Sequence, residues 1–96
     1  MKKERDDILK KKSFSFAVRV VNSYKYLTEN YKEFTLSKQF LKSGTAIGAM
    51  IHEAAFAQSK ADFINKLSIS LKEANETQYW LHLLKETNYF DENIFT

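Results

Sequence analysis

The stretch LKSGTAIGAMIHEAAFAQSKADF, Leu41 to Phe63, decides how the chain reads. It holds the only two glycines of 96 residues, Gly44 and Gly48, one helical turn apart in a segment whose apolar residues recur every three or four positions. A glycine costs about 1 kcal/mol relative to alanine in a helix interior, so such a pair is expected where another backbone must come close. The stripe Leu36, Phe40, Gly44, Ile47, Ile51, Ala54 and Ala55, widened by Leu41, Gly48 and Met50, predicts a helix over 36–56. Thr35 is its expected N-cap. Ser59 and Asp62 have the spacing of a capping box ahead of an apolar run, which places a turn at 57–60 and a further helix over 60–88.

Working outward, the third segment carries Phe63, Ile64, Leu67, Leu71, Ala74, Gln78 and Leu81 on one face, and Ile69, Trp80 and Leu84 on a second. A helix apolar on two sides has two neighbours, as in a bundle or an oligomer interface. Upstream, Phe14, Phe16, Val18 and Val20 alternate as a strand would. The helical template Phe14, Ala17, Val21, Tyr24, Leu27 and Tyr31 covers more of a segment too long for a typical strand, so a helix is expected over 13–30. Residues 1–12 read as a charged extension that lengthens this helix or frays. Residues 91–96 read as the first turn of another, with Asp91 as N-cap. No proline interrupts any of these segments. The expected fold is all-α, a single helical-bundle domain of three long helices with the start of another at 91–96.

Composition excludes several function classes. Without cysteine there is no disulfide framework, thiolate metal site or cysteine nucleophile, which suits a reducing compartment. The uncharged run from Ser43 to Ile51 is far shorter than the roughly 18 to 20 apolar residues of a bilayer span, and residues 1–12 lack the apolar core of a secretory signal. A cytoplasmic protein with no membrane partner is expected. His52 and His82 stand in no metal-binding spacing. Glu53, Glu73 and Glu76 could form a carboxylate cluster, but Lys72, Arg19, Lys38 and Lys42 offer ion pairs that account for them. No nucleophile elbow or phosphate-cradling glycine loop is present. Neither enzyme activity nor a cofactor or metal is expected.

Charge points instead to an acidic partner. Residues 1–60 hold 12 Lys and Arg against 6 Asp and Glu, while residues 61–96 hold 3 against 6. Lys10, Lys11, Lys12, Arg19, Lys25, Lys38 and Lys42 are the candidate contacts to RNA or DNA phosphates, and the first five of them, with Lys32, interleave along the first helix and its flanks with Tyr24, Tyr26 and Tyr31. The same tyrosines at helical spacing also suit a core or interface. Gly44 and Gly48, beside Ala49, open space for a neighbouring helix or for a nucleic-acid backbone, and Trp80 is a candidate interface residue. Two readings stay open: nucleic-acid binding through the basic half, and a protein-interaction scaffold whose charge serves solubility.

The run LSKQFLKSGTAIGAMIHEAAFAQSKADFINKLSISLKEANETQYWLHLL, Leu36 to Leu84, resembles the bacterial four-helix-bundle family encoded in intervening sequences of 23S ribosomal RNA genes. The resemblance rests on Gln39, Lys42-Ser43-Gly44, Ile47-Gly48-Ala49, Glu53-Ala54, Ser59 to Phe63, Lys72-Glu73, Glu76-Thr77 and Tyr79-Trp80-Leu81. It implies an antiparallel four-helix protomer assembled as a homopentamer, with a binding or scaffolding role and no catalytic residue to carry over. The related accessory variability determinants of diversity-generating retroelements associate with a reverse transcriptase and nucleic acid, which makes a reverse-transcriptase-like protein a possible partner. Met50 stands where the family is expected to have asparagine, and Thr96 falls where a fourth helix is expected to begin.

Overall fold

The computed structural model of the chain describes residues 2–90. Three helices follow one another: α1 (Lys2–Tyr31), α2 (Leu36–Ala54) and α3 (Lys60–Glu86). The first begins at Lys2 and not at 13, so residues 2–12 continue the helix; their Lys, Glu and Arg are good helix formers and no glycine or proline interrupts them. The other two stop two residues short of the expected 56 and 88. The expected helical turn at 91–96 lies outside the described residues. No strand occurs among them, so the alternation of Phe14 to Val20 is not a β signal.

α2 is the central helix: α1 and α3 each pack against it and their backbones do not meet. The long axis of 43 Å matches a 30-residue helix at 1.5 Å per residue, about 45 Å. The seams repeat every seven residues. Ser13, Val20 and Leu27 are buried on α1; Ser37, Gly44 and Ile51 on α2; Ser70, Thr77 and Leu84 on α3. A seven-residue repeat keeps one line of side chains turned toward a partner along the whole length of two helices.

These seams correct the expected stripes. On α1, Phe14 is 71% exposed and Tyr31 is exposed too, while Ser13 and Ser23 point inward beside Val20 and Leu27. On α3, Ile64, Leu71 and Gln78 are exposed, Leu84 of the second expected strip is buried as expected, and Ser70 and Thr77, which belong to neither strip, are buried in line with it. On α2 the reading was closer, since Phe40, Gly44, Ile51 and Ala54 are buried, although Ala55 is exposed.

Small inward residues let the helices approach. A Cβ placed on Gly44 would lie 2.8 Å from both γ carbons of Val20, and one on Gly48 would lie 3.3 Å from the carbonyl oxygen of Ser13. Both glycines therefore close on α1 of the same chain. The buried hydroxyls cost little because each finds a carbonyl. Ser13 donates to Lys10 O (3.1 Å), Ser23 to Arg19 O (2.8 Å) and Thr77 to Glu73 O (2.7 Å), all within their own helix. Ser70 instead donates to Ile47 O on α2 (2.9 Å), a cross-helix tie.

The far end is closed by aromatics. Phe90 packs edge-on against Phe40 with centroids 5.9 Å apart, and Tyr89 meets Tyr31 at 5.3 Å, joining the end of α3 to the α1–α2 connection around Leu27 and Leu84. A left-handed Asn88 (φ 69°) turns the chain there: Tyr89 N–H bonds to Leu84 O (2.9 Å) and Asn88 N–H to Lys85 O (3.0 Å), the Schellman pattern of a helix end.

Candidate nucleic-acid interface

The seven cations singled out in the sequence all stand on the solvent side of α1 and α2. Six of them, Lys10, Lys11, Lys12, Lys25, Lys38 and Lys42, are exposed and form no ion pair with any described residue. Lys66 by contrast pairs with Glu53 at 3.4 Å, at the rim of the α1–α2 groove, and His82 Nε2 stands 3.6 Å from Glu86 Oε1 on α3. Exposed ammonium groups without carboxylate partners can neutralise phosphates, and a nucleic acid releases its own condensed counterions when they do.

The structure does not gather the seven into one patch. Lys10 and Lys11 border an open groove of about 830 Å³ between α1 and α2, whose lining includes Phe14, Ala17, Gly48 and Ala49. Lys11, Lys12 and Arg19 border a smaller depression of about 310 Å³ beside Phe16 on α1. Lys38 and Lys42 lie on the same α2 line as Thr45, Ala49 and His52, at spacings of three and four, one to two turns before the stretch that lines the first groove. Lys25 is exposed on the α1 turn preceding Leu27.

The packing candidates separate similarly. Gly44 is buried against Val20, Gly48 is half-buried against the Ser13 backbone, and Ala49 is exposed at the groove. Trp80 is half-buried against the core cluster, and its Nε1–H donates to Glu76 Oε2 at 3.1 Å. Tyr79, 61% exposed, lies edge-on to it with centroids 5.0 Å apart. Lys72, four residues before Glu76, forms no ion pair with it; the Glu76 carboxylate accepts from Trp80 instead, and Glu53 pairs with Lys66. Among the described residues no group of three or more His, Asp or Glu stands close enough to hold a metal ion, and no described helix is long and apolar enough to cross a membrane.

Two exposed aromatics stand out at this face against the sequence expectation: Phe14, expected in the core, lines the groove at 71% exposed, and Phe56, 73% exposed, packs against the groove residue His52. The available signal was positional. Phe14 lies four and three residues after Lys10 and Lys11 and so shares a flank of α1 with them, while Phe56, four after His52, lies just past the end of α2.

Comparison with known proteins gives one family. The profile of the 23S rRNA-intervening sequence protein family matches residues 5–96. A crystal structure at 1.70 Å of a protein with unknown function from the S23 ribosomal protein family, from Bacteroides thetaiotaomicron VPI-5482, is similar with a TM-score of 0.88 and 61% identity. The match covers 91% of this chain and 81% of that one. Among curated proteins nothing matches.

Proposed function

Since the chain belongs to the 23S rRNA-intervening sequence protein family, we propose that it is a non-enzymatic, self-associating helical protein that holds RNA or DNA by its phosphates. The contacts come from Lys10, Lys11, Lys12, Arg19, Lys25, Lys38 and Lys42 on the outside of α1 and α2. The observation that carries this reading is the set of six exposed lysines without a carboxylate partner among the described residues. A formal net charge of +3 per chain is a modest field. In a homopentamer, the assembly that the family resemblance implies, the same surfaces repeat and their attraction for a polyanion adds.

The test is a filter-binding titration with structured RNA at salt concentrations between about 50 and 200 mM. Four phosphate contacts correspond to a loss of about a hundredfold in affinity across that range. Absence of binding at the low-salt end removes the reading.

A second reading is a protein-interaction scaffold for a partner such as a reverse-transcriptase-like protein. Exposed Ile8 and Leu9 on α1 favour it, since they border a depression of about 550 Å³ shared with Phe63 and Leu67 of α3. Under this reading the wild-type chain retains no RNA in the filter assay, and Leu9→Glu abolishes partner capture.

A further inference from the structure

Phosphate attraction accounts for the lysines and leaves the groove between α1 and α2 unexplained. Its floor is made of residues that are almost all backbone, Ala17, Gly48 and Ala49, so an apolar slot of about 830 Å³ stays open at the surface. One wall is the ring of Phe14, 71% exposed. His52 lies on the other side and packs against Phe56, 73% exposed, with ring centroids 5.4 Å apart and planes tilted by 57°. Four charged or titratable groups border the slot: Lys10, Lys11, His52 and Glu53. Glu53 is engaged by Lys66 at 3.4 Å, and Lys10 and Lys11 are the cations of the slot with no ion-pair partner among the described residues.

We infer that this groove takes unpaired bases of a single-stranded nucleic acid, stacked on Phe14 and beside His52, with the sugar-phosphate chain following Lys10 and Lys11 and then Lys42 and Lys38. The inference rests on the nucleic-acid reading above and sharpens it to one ligand class. An aromatic face flanked by cations suits a base flanked by phosphates, and any base has a π face to offer. A duplex keeps those faces inside its own stack and cannot present them to Phe14. The dimensions agree. His52 lies ten residues beyond Lys42 on α2, about 15 Å at 1.5 Å per residue. At roughly 3.4 Å per stacked nucleotide this spans about four nucleotides.

The experiment measures fluorescence polarisation of three labelled ligands of about 12 units, within the usual site size of single-strand binders. They are a mixed-sequence RNA strand, an abasic ribose-phosphate strand and an RNA duplex, each titrated with the full chain at about 50 mM salt, in the range where phosphate contacts are strong. The base-bearing strand is expected to bind tightest. Phe14→Ala is expected to weaken it about tenfold and to leave the abasic strand unchanged. Phe14→Trp is expected to retain binding. Phe34→Ala removes an aromatic that is 58% exposed outside the groove and should change nothing. Because Phe14 is so exposed, its replacement leaves the packed seams intact, which a circular dichroism melt confirms.

Equal affinity for the abasic strand or the duplex, or wild-type affinity in Phe14→Ala, overturns the groove assignment while the phosphate reading stands. A fall in particle mass for Phe14→Ala in light scattering assigns the groove to a second copy of the chain and overturns it too. If none of the three ligands binds, both readings fall together.

Discussion

Gly44 and Gly48 look equivalent in the sequence and differ in what a methyl group would meet. At Gly44 the obstacle is Val20, fully buried and stiff about χ1, with both γ carbons 2.8 Å from the built Cβ. At Gly48 it is the Ser13 carbonyl at 3.3 Å, a tight contact relieved by a few tenths of an ångström. Alanine recovers about 1 kcal/mol of helix propensity at either position. Overpacking costs about 1 to 3 kcal/mol where the neighbour cannot give way. Gly44→Ala is therefore expected to destabilise the chain by about 1 kcal/mol, and Gly48→Ala to stay within about 0.5 kcal/mol of wild type. Urea unfolding of the two variants gives the comparison, and equal midpoints would show that Val20 yields as easily as the α1 backbone shifts. The glycines were legible as a sign of close approach because their propensity cost is local. Which helix approaches was not legible, since that depends on the face of α1 turned inward.

Helix ends and helix faces were readable to different degrees. The Ser59 cap was evident because its partner is three residues away: Asp62 N–H donates to Ser59 Oγ at 3.0 Å. Thr35 was placed correctly at the start of α2 but makes no side-chain cap bond. The work falls to Glu33, whose Oε1 accepts from Ser37 N–H at 2.8 Å while its carbonyl accepts from Ser37 Oγ at 2.6 Å. Thermal melts are thus expected to show Ser59→Ala losing about 1 kcal/mol and Thr35→Ala almost nothing, with Glu33→Ala closer to the first. The two left-handed turn positions are held by Lys32 (φ 52°) and Asn88 (φ 69°), while both glycines of the chain sit inside a helix. Lys32→Gly relieves that strain and is expected to raise stability by about 1 kcal/mol, read as a later urea midpoint. The faces were harder because hydropathy follows large apolar side chains. Ser13, Ser23, Ser70 and Thr77 line the seams with their hydroxyls already bonded to carbonyls, so their buried places carry no hydrophobic signature, and Phe14 was drawn inward in their stead. The groove was lost with that rotation: lysine exposure is the ordinary expectation, but grouping Lys10 and Lys11 with Phe14 and Gly48 requires the true seam.

For the whole molecule the open question is whether total charge or its placement governs binding. The central position of α2 puts α1 on one side and α3 on the other, and the unpaired lysines of the candidate interface lie on α1 and α2. Exposed Lys60, Lys72 and Lys85 of α3 share their helix with Asp62, Glu73, Glu76 and Glu86. Two triple variants separate the alternatives: Lys10, Lys11 and Lys42 to serine, and Lys60, Lys72 and Lys85 to serine. Each lowers the formal net charge from +3 to zero, since three cations are removed and no anion is added. All six positions are exposed, so stability should move little in either variant. If placement governs, the first triple weakens binding to single-stranded RNA and flattens the dependence of log affinity on log salt by about 2, at roughly 0.7 per lost phosphate contact. The second triple keeps the wild-type slope. Equal losses in both would make the protein a diffuse polycation to its ligand, because a field set only by net charge cannot distinguish the groove side from α3.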